Sequence, residues 1–151
     1  MNCLPHLDFS GLTAFFRHDP NVVCAYVFGS AKNGVVKDGS DLDLAVLLRV
    51  PPRDSREEFA YYSKVCDAAK ELADRIDLVI LNRANPILAF EGLHGLRLCN
   101  NDPEESAGFH SRVAREYEDV MGDIECQRRV RAALVDHRPA AEADAADRRI
   151  G

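Results

Sequence analysis

Aspartate is a poor strand former, yet two aspartates open one apolar run and a third lies inside the next. Asp41-Leu42-Asp43 leads into Leu44-Ala45-Val46-Leu47-Leu48, and Asp77 is flanked by Ile76 and by Leu78-Val79-Ile80. Residues two apart on a strand share a face, so Asp41 and Asp43 project together, about 7 Å apart along the chain. Carboxylates this close repel one another and coexist when a cation sits between them. Hard oxygen ligands in such an arrangement suit magnesium or manganese. If the strand carrying Asp77 lies beside the strand carrying Asp41 and Asp43, the three acids form one cluster. A solvated strand edge also accounts for the Asp-x-Asp pair taken alone, and Arg75 is an available ion-pair partner for Asp77.

A second group of residues suits phosphate. Phe28-Gly29-Ser30 closes a buried apolar run. Glycine lets a backbone approach a ligand closely, and a serine hydroxyl with the amides after it can hold phosphate oxygens where a helix begins. Taken alone, these residues fit a plain strand-to-helix turn with Ser30 as N-cap. No Gly-Lys-Ser/Thr comes after them, so this is not a Walker loop. Lys32 and Lys37 are the cations of the adjoining polar segment, residues 31–40.

These residues need elements to position them. Leu12, Phe15 and Phe16 recur at helical spacing over 8–18, with Asp8 and Ser10 as candidate caps. Val22 to Phe28, VVCAYVF, is a continuous apolar run and is expected to form a strand buried on both faces. Asp41 to Val50 forms a second strand with one wet end and one buried end. Pro51-Pro52 ends it, and Ser55 to Arg75 is an amphipathic helix capped by Ser55, with a stripe of Phe59, Tyr62, Cys66, Ala69, Leu72, Ala73 and Ile76. Ile76 to Leu81 is a third strand. A short helix over 85–94 starts behind Pro86, and 96–100 is a candidate edge strand. A last helix opens at Pro103 and carries Phe109, Val113, Tyr117, Val120 and Ile124, with Gly122 as a candidate kink. The order is that of an α/β (α+β) domain: a mixed β-sheet flanked by helices. Residues 1–137 are expected to form a single domain and residues 138–151 a flexible tail, rich in alanine and charge with one large aliphatic, Ile150.

The combination is more specific than its parts. Gly29-Ser30 is followed by ten residues and then by Asp41-Leu42-Asp43, with a buried strand before, a strand after, and a third acid one helix later. This arrangement resembles the polymerase-β-like nucleotidyltransferase superfamily. Within it, the segment FGS…SDLDLAVLL, then IDLVIL, then the NPILAFEGLHG helix and the final helix are most similar to the minimal nucleotidyltransferase (MNT) antitoxins of HEPN–MNT toxin–antitoxin pairs. The resemblance covers roughly residues 8 to 135. It implies a polymerase-β-like fold in which Gly29 and Ser30, with Lys32 and Lys37 nearby, hold the β- and γ-phosphates of ATP. It also implies that Asp41, Asp43 and Asp77 ligate two magnesium ions, and that Asp77 helps to deprotonate the attacking hydroxyl. Many relatives carry arginines in this turn where this chain has lysines, and a lysine constrains phosphate geometry less than an arginine fork.

Composition sets the remaining expectations. Of 151 residues, 19 are Lys or Arg and 25 are Asp or Glu, for a net charge of −6. That disfavours a broad basic surface for coating nucleic acid, and no direct nucleic-acid binding is expected. The five cysteines, at 3, 24, 66, 99 and 126, form neither a disulfide framework nor a zinc motif. Cys24 and Cys66 are expected in the core. His94 and His110 have no matching ligand spacing, and Tyr117 is expected to pack or face solvent. With no signal peptide and no membrane span in sight, a cytoplasmic location is expected. A chain with room for the catalytic unit and one further helix needs another protein to supply its acceptor. The resemblance accordingly implies an antitoxin that transfers AMP from ATP to a tyrosine of a partner HEPN ribonuclease toxin and silences it. The alternatives are an antitoxin that acts by binding alone with a vestigial site, and a nucleotidyltransferase acting on a small molecule of the aminoglycoside type.

Overall fold

The computed structural model describes residues 7–29 and 41–136. Its elements run α1 (Ser10–His18), β1 (Val22–Phe28), β2 (Leu42–Leu48), α2 (Ser55–Ala69), β3 (Ile76–Ile80), a 3-10 turn (Leu81–Arg83), α3 (Pro86–Leu93), β4 (Leu96–Asn100) and α4 (Pro103–Asp136). The strands form one sheet in the order β3-β2-β1-β4. β1 runs antiparallel to both β2 and β4, and β2 runs parallel to β3. The sheet is therefore mixed, as the sequence implies, and 96–100 is an edge strand.

β1 is buried at every one of its seven positions because helices cover both faces of the sheet. On one face, Leu12 and Phe16 of α1 and Val65 and Ala69 of α2 pack against Val22, Val27, Leu42, Leu44 and Val46. On the other, Ala89 and Leu93 of α3 and Phe109 and Val113 of α4 pack against Val23, Tyr26, Phe28, Ala45 and Leu47. Cys24 is fully buried in this second layer, and Cys66 packs at the margin of the first. The alternation along β2 sets the direction of its one acid. Leu42 and Leu44 face α1 and α2, so Asp43 between them faces the α3–α4 side.

Local chemistry sets the ends of the elements. Asp54, not Ser55, caps α2, its side chain accepting from the Glu57 amide at 2.9 Å. Asn85 caps α3 with Pro86 in the first turn. Asn82 brackets Leu48, accepting from its amide at 3.0 Å and donating to its carbonyl at 2.7 Å, which ties the far end of β2 to the chain after β3. At the near end, the Leu42 amide donates to the Arg75 carbonyl at 3.0 Å, and the Tyr62 hydroxyl donates to the Ile76 carbonyl at 2.9 Å. These two bonds fix where β3 starts against β2.

The structure corrects one position of the α2 stripe: Phe59 is 69% exposed, while Tyr62, Cys66, Ala69, Leu72, Ala73 and Ile76 pack against the first core layer beside the fully buried Val65. The helix also ends at Ala69, short of Arg75. Residues 103–136 form one continuous helix through Gly122. The expected tail, 138–151, lies outside the described residues.

Candidate active site

Strand polarity brings the candidate residues together at one end of the sheet. β1 arrives there at Phe28, and β2 and β3 depart from it. In the register, Phe28 stands opposite Asp43, and Asp43 stands beside Asp77 on the parallel neighbour. Register partners on adjacent strands point to the same face, so the Asp43 and Asp77 carboxylates are neighbours although 34 residues separate them. Asp41 lies two residues before Asp43, just ahead of β2, and is exposed. The condition set by the sequence, that the strand of Asp77 lie beside the strand of Asp43, is met.

Gly29 sits directly against this pair. Its φ is +67°, in the left-handed region that glycine adopts without penalty. A Cβ at this position would collide with Oδ2 of Asp43 and stand 3.2 Å from its Cγ. The turn after β1 thus presses bare backbone onto the carboxylate, and two independent constraints demand glycine there. Gly95, between α3 and β4, plays a similar part behind the site. A Cβ there would strike the Val27 carbonyl and lie 2.9 Å from Phe28 Cβ. Ser30, Lys32 and Lys37, the other expected phosphate contacts, lie outside the described residues.

Burial pushes the Asp43 carboxyl above its ordinary value. The charges of Asp77 and Asp41 push it further, as does a side-chain hydrogen bond with Asp77. No salt bridge joins Arg75 to Asp77 among the described residues, and Asp77 is exposed near the head of an edge strand. Also among the described residues, no group of three His, Cys, Asp or Glu side chains is arranged to hold a metal ion. The structure therefore presents a mutually repelling pair, Asp43 and Asp77, with Asp41 near enough for its charge to be felt. Acids that repel in this way are relieved by a proton or by a divalent cation, and an all-oxygen donor set suits magnesium.

Asp43 and Gly29 line an open groove of about 560 Å³ together with Phe28, Phe90, Glu91, His94 and Tyr117. Among the described residues, the lining carries two carboxylates, Asp43 and Glu91, and neither lysine nor arginine. Phe90, His94 and Tyr117 were not singled out as site residues by the sequence. The available signal was the i, i+4 aromatic pair of Phe90 on α3 and His94 at its C-cap.

The sequence matches the family described as Polymerase beta, Nucleotidyltransferase over residues 11–104. No curated protein matches it. Three solved structures show how far the likeness of fold extends. A mutant MntA-HpeT toxin–antitoxin complex superposes with a TM-score of 0.64 at 21% identity, covering 86% of this chain and 97% of that one. A toxin–antitoxin complex with AMP-PNP gives 0.61 at 21% identity, covering 84% and 96%. A tri-AMPylated HEPN toxin from Shewanella oneidensis in complex with MNT antitoxin gives 0.53 at 19% identity, covering 82% and 96%. The family match takes in Gly29, Asp41, Asp43 and Asp77, and it spans all four strands that bring them to one end of the sheet; this chain belongs to the polymerase-β nucleotidyltransferase family.

Proposed function

We infer that this protein is an antitoxin that transfers AMP from ATP to a tyrosine hydroxyl of a HEPN ribonuclease toxin and thereby inactivates it. The observation that carries the reading is the register of Asp43 beside Asp77, with the Gly29 backbone pressed against Asp43 at the mouth of a groove large enough for a nucleotide. The solved structures with similar folds include one with AMP-PNP and one with an AMPylated HEPN toxin, and both support this choice of donor and acceptor.

Asp41, Asp43 and Asp77 are the residues that would hold magnesium, two ions in this reading. Bound there, magnesium neutralises charge on the attacking and leaving oxygens of an in-line displacement. The chain's own work is positional. The Gly29 turn, with Ser30, Lys32 and Lys37 after it, receives the β- and γ-phosphates. Asp77, exposed at the edge of the sheet, accepts the proton of the attacking tyrosine hydroxyl. The oxygen of that hydroxyl bonds to the α-phosphorus as the bond to the β-phosphate oxygen breaks, and pyrophosphate leaves. The new phosphodiester places a negative charge on the toxin, which repels an RNA backbone.

The test is to incubate the protein with magnesium, ATP and a HEPN partner, to separate the two proteins, and to record the partner's intact mass and ribonuclease activity. The expected result is a gain of one or more AMP groups and inactivity that persists after separation. An unmodified partner that regains activity on separation would replace this reading with an antitoxin that acts by binding alone.

A further inference from the structure

The groove that Asp43 lines also carries a wall of aromatic rings. Phe90 and Tyr117 stack with centroids 3.8 Å apart and planes 5° from parallel. His94 lies 4.0 Å from Phe90. These rings are not sealed in the core: His94 is exposed, Phe90 and Tyr117 are half-buried, and all three line the groove. A stack of rings open to solvent offers a surface on which another flat ring gains dispersion and hydrophobic energy, whatever its sequence identity.

The polar rim narrows the choice of ring. His94 Nδ1 lies 2.8 Å from the Phe90 carbonyl, so Nδ1 carries the hydrogen, and Nε2 is the acceptor in the neutral ring. Glu91 adds a carboxylate to the same lining. Both rim groups accept hydrogen bonds, and so both favour a base edge that presents an amino group. A two-ring base also covers more of the stack than a single ring. The volume of about 560 Å³ falls within the range of small-molecule sites.

We propose that Phe90, His94 and Tyr117 form the nucleobase platform of this site, taking an amino-bearing purine as a further layer of the stack with its phosphates directed toward Gly29 and Asp43. The proposal rests on the nucleotidyl-transfer reading and assigns the residues that discriminate its donor. Tyr117→Leu keeps apolar bulk against Phe90 but removes a stacking face, and His94→Ala removes an exposed ring that the core does not need. Binding is measured with the triphosphate of 2-aminopurine riboside, whose fluorescence falls when the base stacks. ATP, UTP and inorganic tripolyphosphate serve as competitors, all in magnesium. The expected results are strong quenching by the parent protein, tighter binding of ATP than of UTP, and roughly tenfold weaker ATP binding in each variant, with tripolyphosphate affinity unchanged. Circular dichroism verifies that both variants keep the parent's helix content. Equal loss of ATP and tripolyphosphate affinity, or no loss of either, overturns the platform. A parent protein that binds ATP no better than tripolyphosphate yet still modifies its partner also overturns the platform and leaves the transfer reading standing. A parent protein that binds neither overturns both.

Discussion

Asp43 is where the demands on single residues meet. It is half-buried, it faces Asp77 across the sheet, and it lies in the field of Asp41. Each of these disfavours its ionised form, so the folded protein holds a proton on Asp43 more tightly than the unfolded chain does. This group's contribution to stability is therefore complete below the ordinary aspartate value and is lost as pH rises through the elevated folded value. Asp43→Asn removes the loss. Without divalent metal at neutral pH, that variant should be at least as stable as the parent, and the difference should shrink as the pH is lowered into the acid range. The same variant should abolish nucleotidyl transfer. Urea titrations in chelator at several pH values, set beside a transfer assay, read both effects. A variant markedly less stable than the parent in chelator would show that Asp43 serves the fold and not the chemistry. Gly29 belongs to the same set of constraints: an alanine there meets both an unfavourable backbone conformation and the Asp43 side chain.

The elements show where sequence patterns carry information about the fold and where they do not. β1 was legible because a strand covered on both faces is apolar throughout, and VVCAYVF allows no competing periodicity. The site's acids were legible because aspartate is out of place at the head of a strand. α2 was legible as a helix, and Tyr62, Cys66, Ala69, Leu72 and Ala73 of its stripe lie against the first core layer. The spacing misplaced only the first turn, where Phe59 is exposed, and passed over Val65, which is fully buried beside Ala69. This has a measurable consequence. Val65→Ala, which opens space at a fully buried position, should cost about 2 kcal/mol. Phe59→Ala, at a largely exposed position, should change stability by less than about 0.5 kcal/mol despite removing the larger side chain. Chemical denaturation of the two variants checks this placement, and the reverse order of costs would return Phe59 to the buried stripe. Of the aromatic wall of the groove, only the Phe90–His94 spacing was legible, and the part played by Tyr117 was not. Asp43, Phe90 and Tyr117 meet only because β2, α3 and α4 pack together, and no local period records a contact between segments so far apart in the chain.

At the scale of the whole molecule, α4 divides into two parts with different physical standing. Its first half is held to the sheet. Phe109 and Val113 are buried against the second core layer, the Tyr26 hydroxyl lies 2.7 Å from His110 Nε2, and Tyr117 stacks on Phe90. From Met121 through Val135 every residue is exposed, including Ile124, Val130 and Leu134. The ion pairs there, Glu125 with Arg128 and Arg129, lie within the helix and at the surface, where such pairs contribute on the order of 0.5 kcal/mol or less. Helical stability in water comes mainly from packing an apolar face, and this stretch packs none against the described residues. A protein ending at Gly122 should therefore keep the parent's melting temperature to within about 3 °C, because almost no buried area is lost. In the full chain, hydrogen exchange should separate the two parts. Amides of 106–117 should be protected to nearly the extent of β1, and those of 123–135 should exchange orders of magnitude faster through local fraying. The truncated protein should still bind ATP, since Tyr117 and the acids remain. A fall in melting temperature of about ten degrees or more on truncation would mean that the distal half of α4 is covered in solution, and strong protection of its amides would locate the covered stretch.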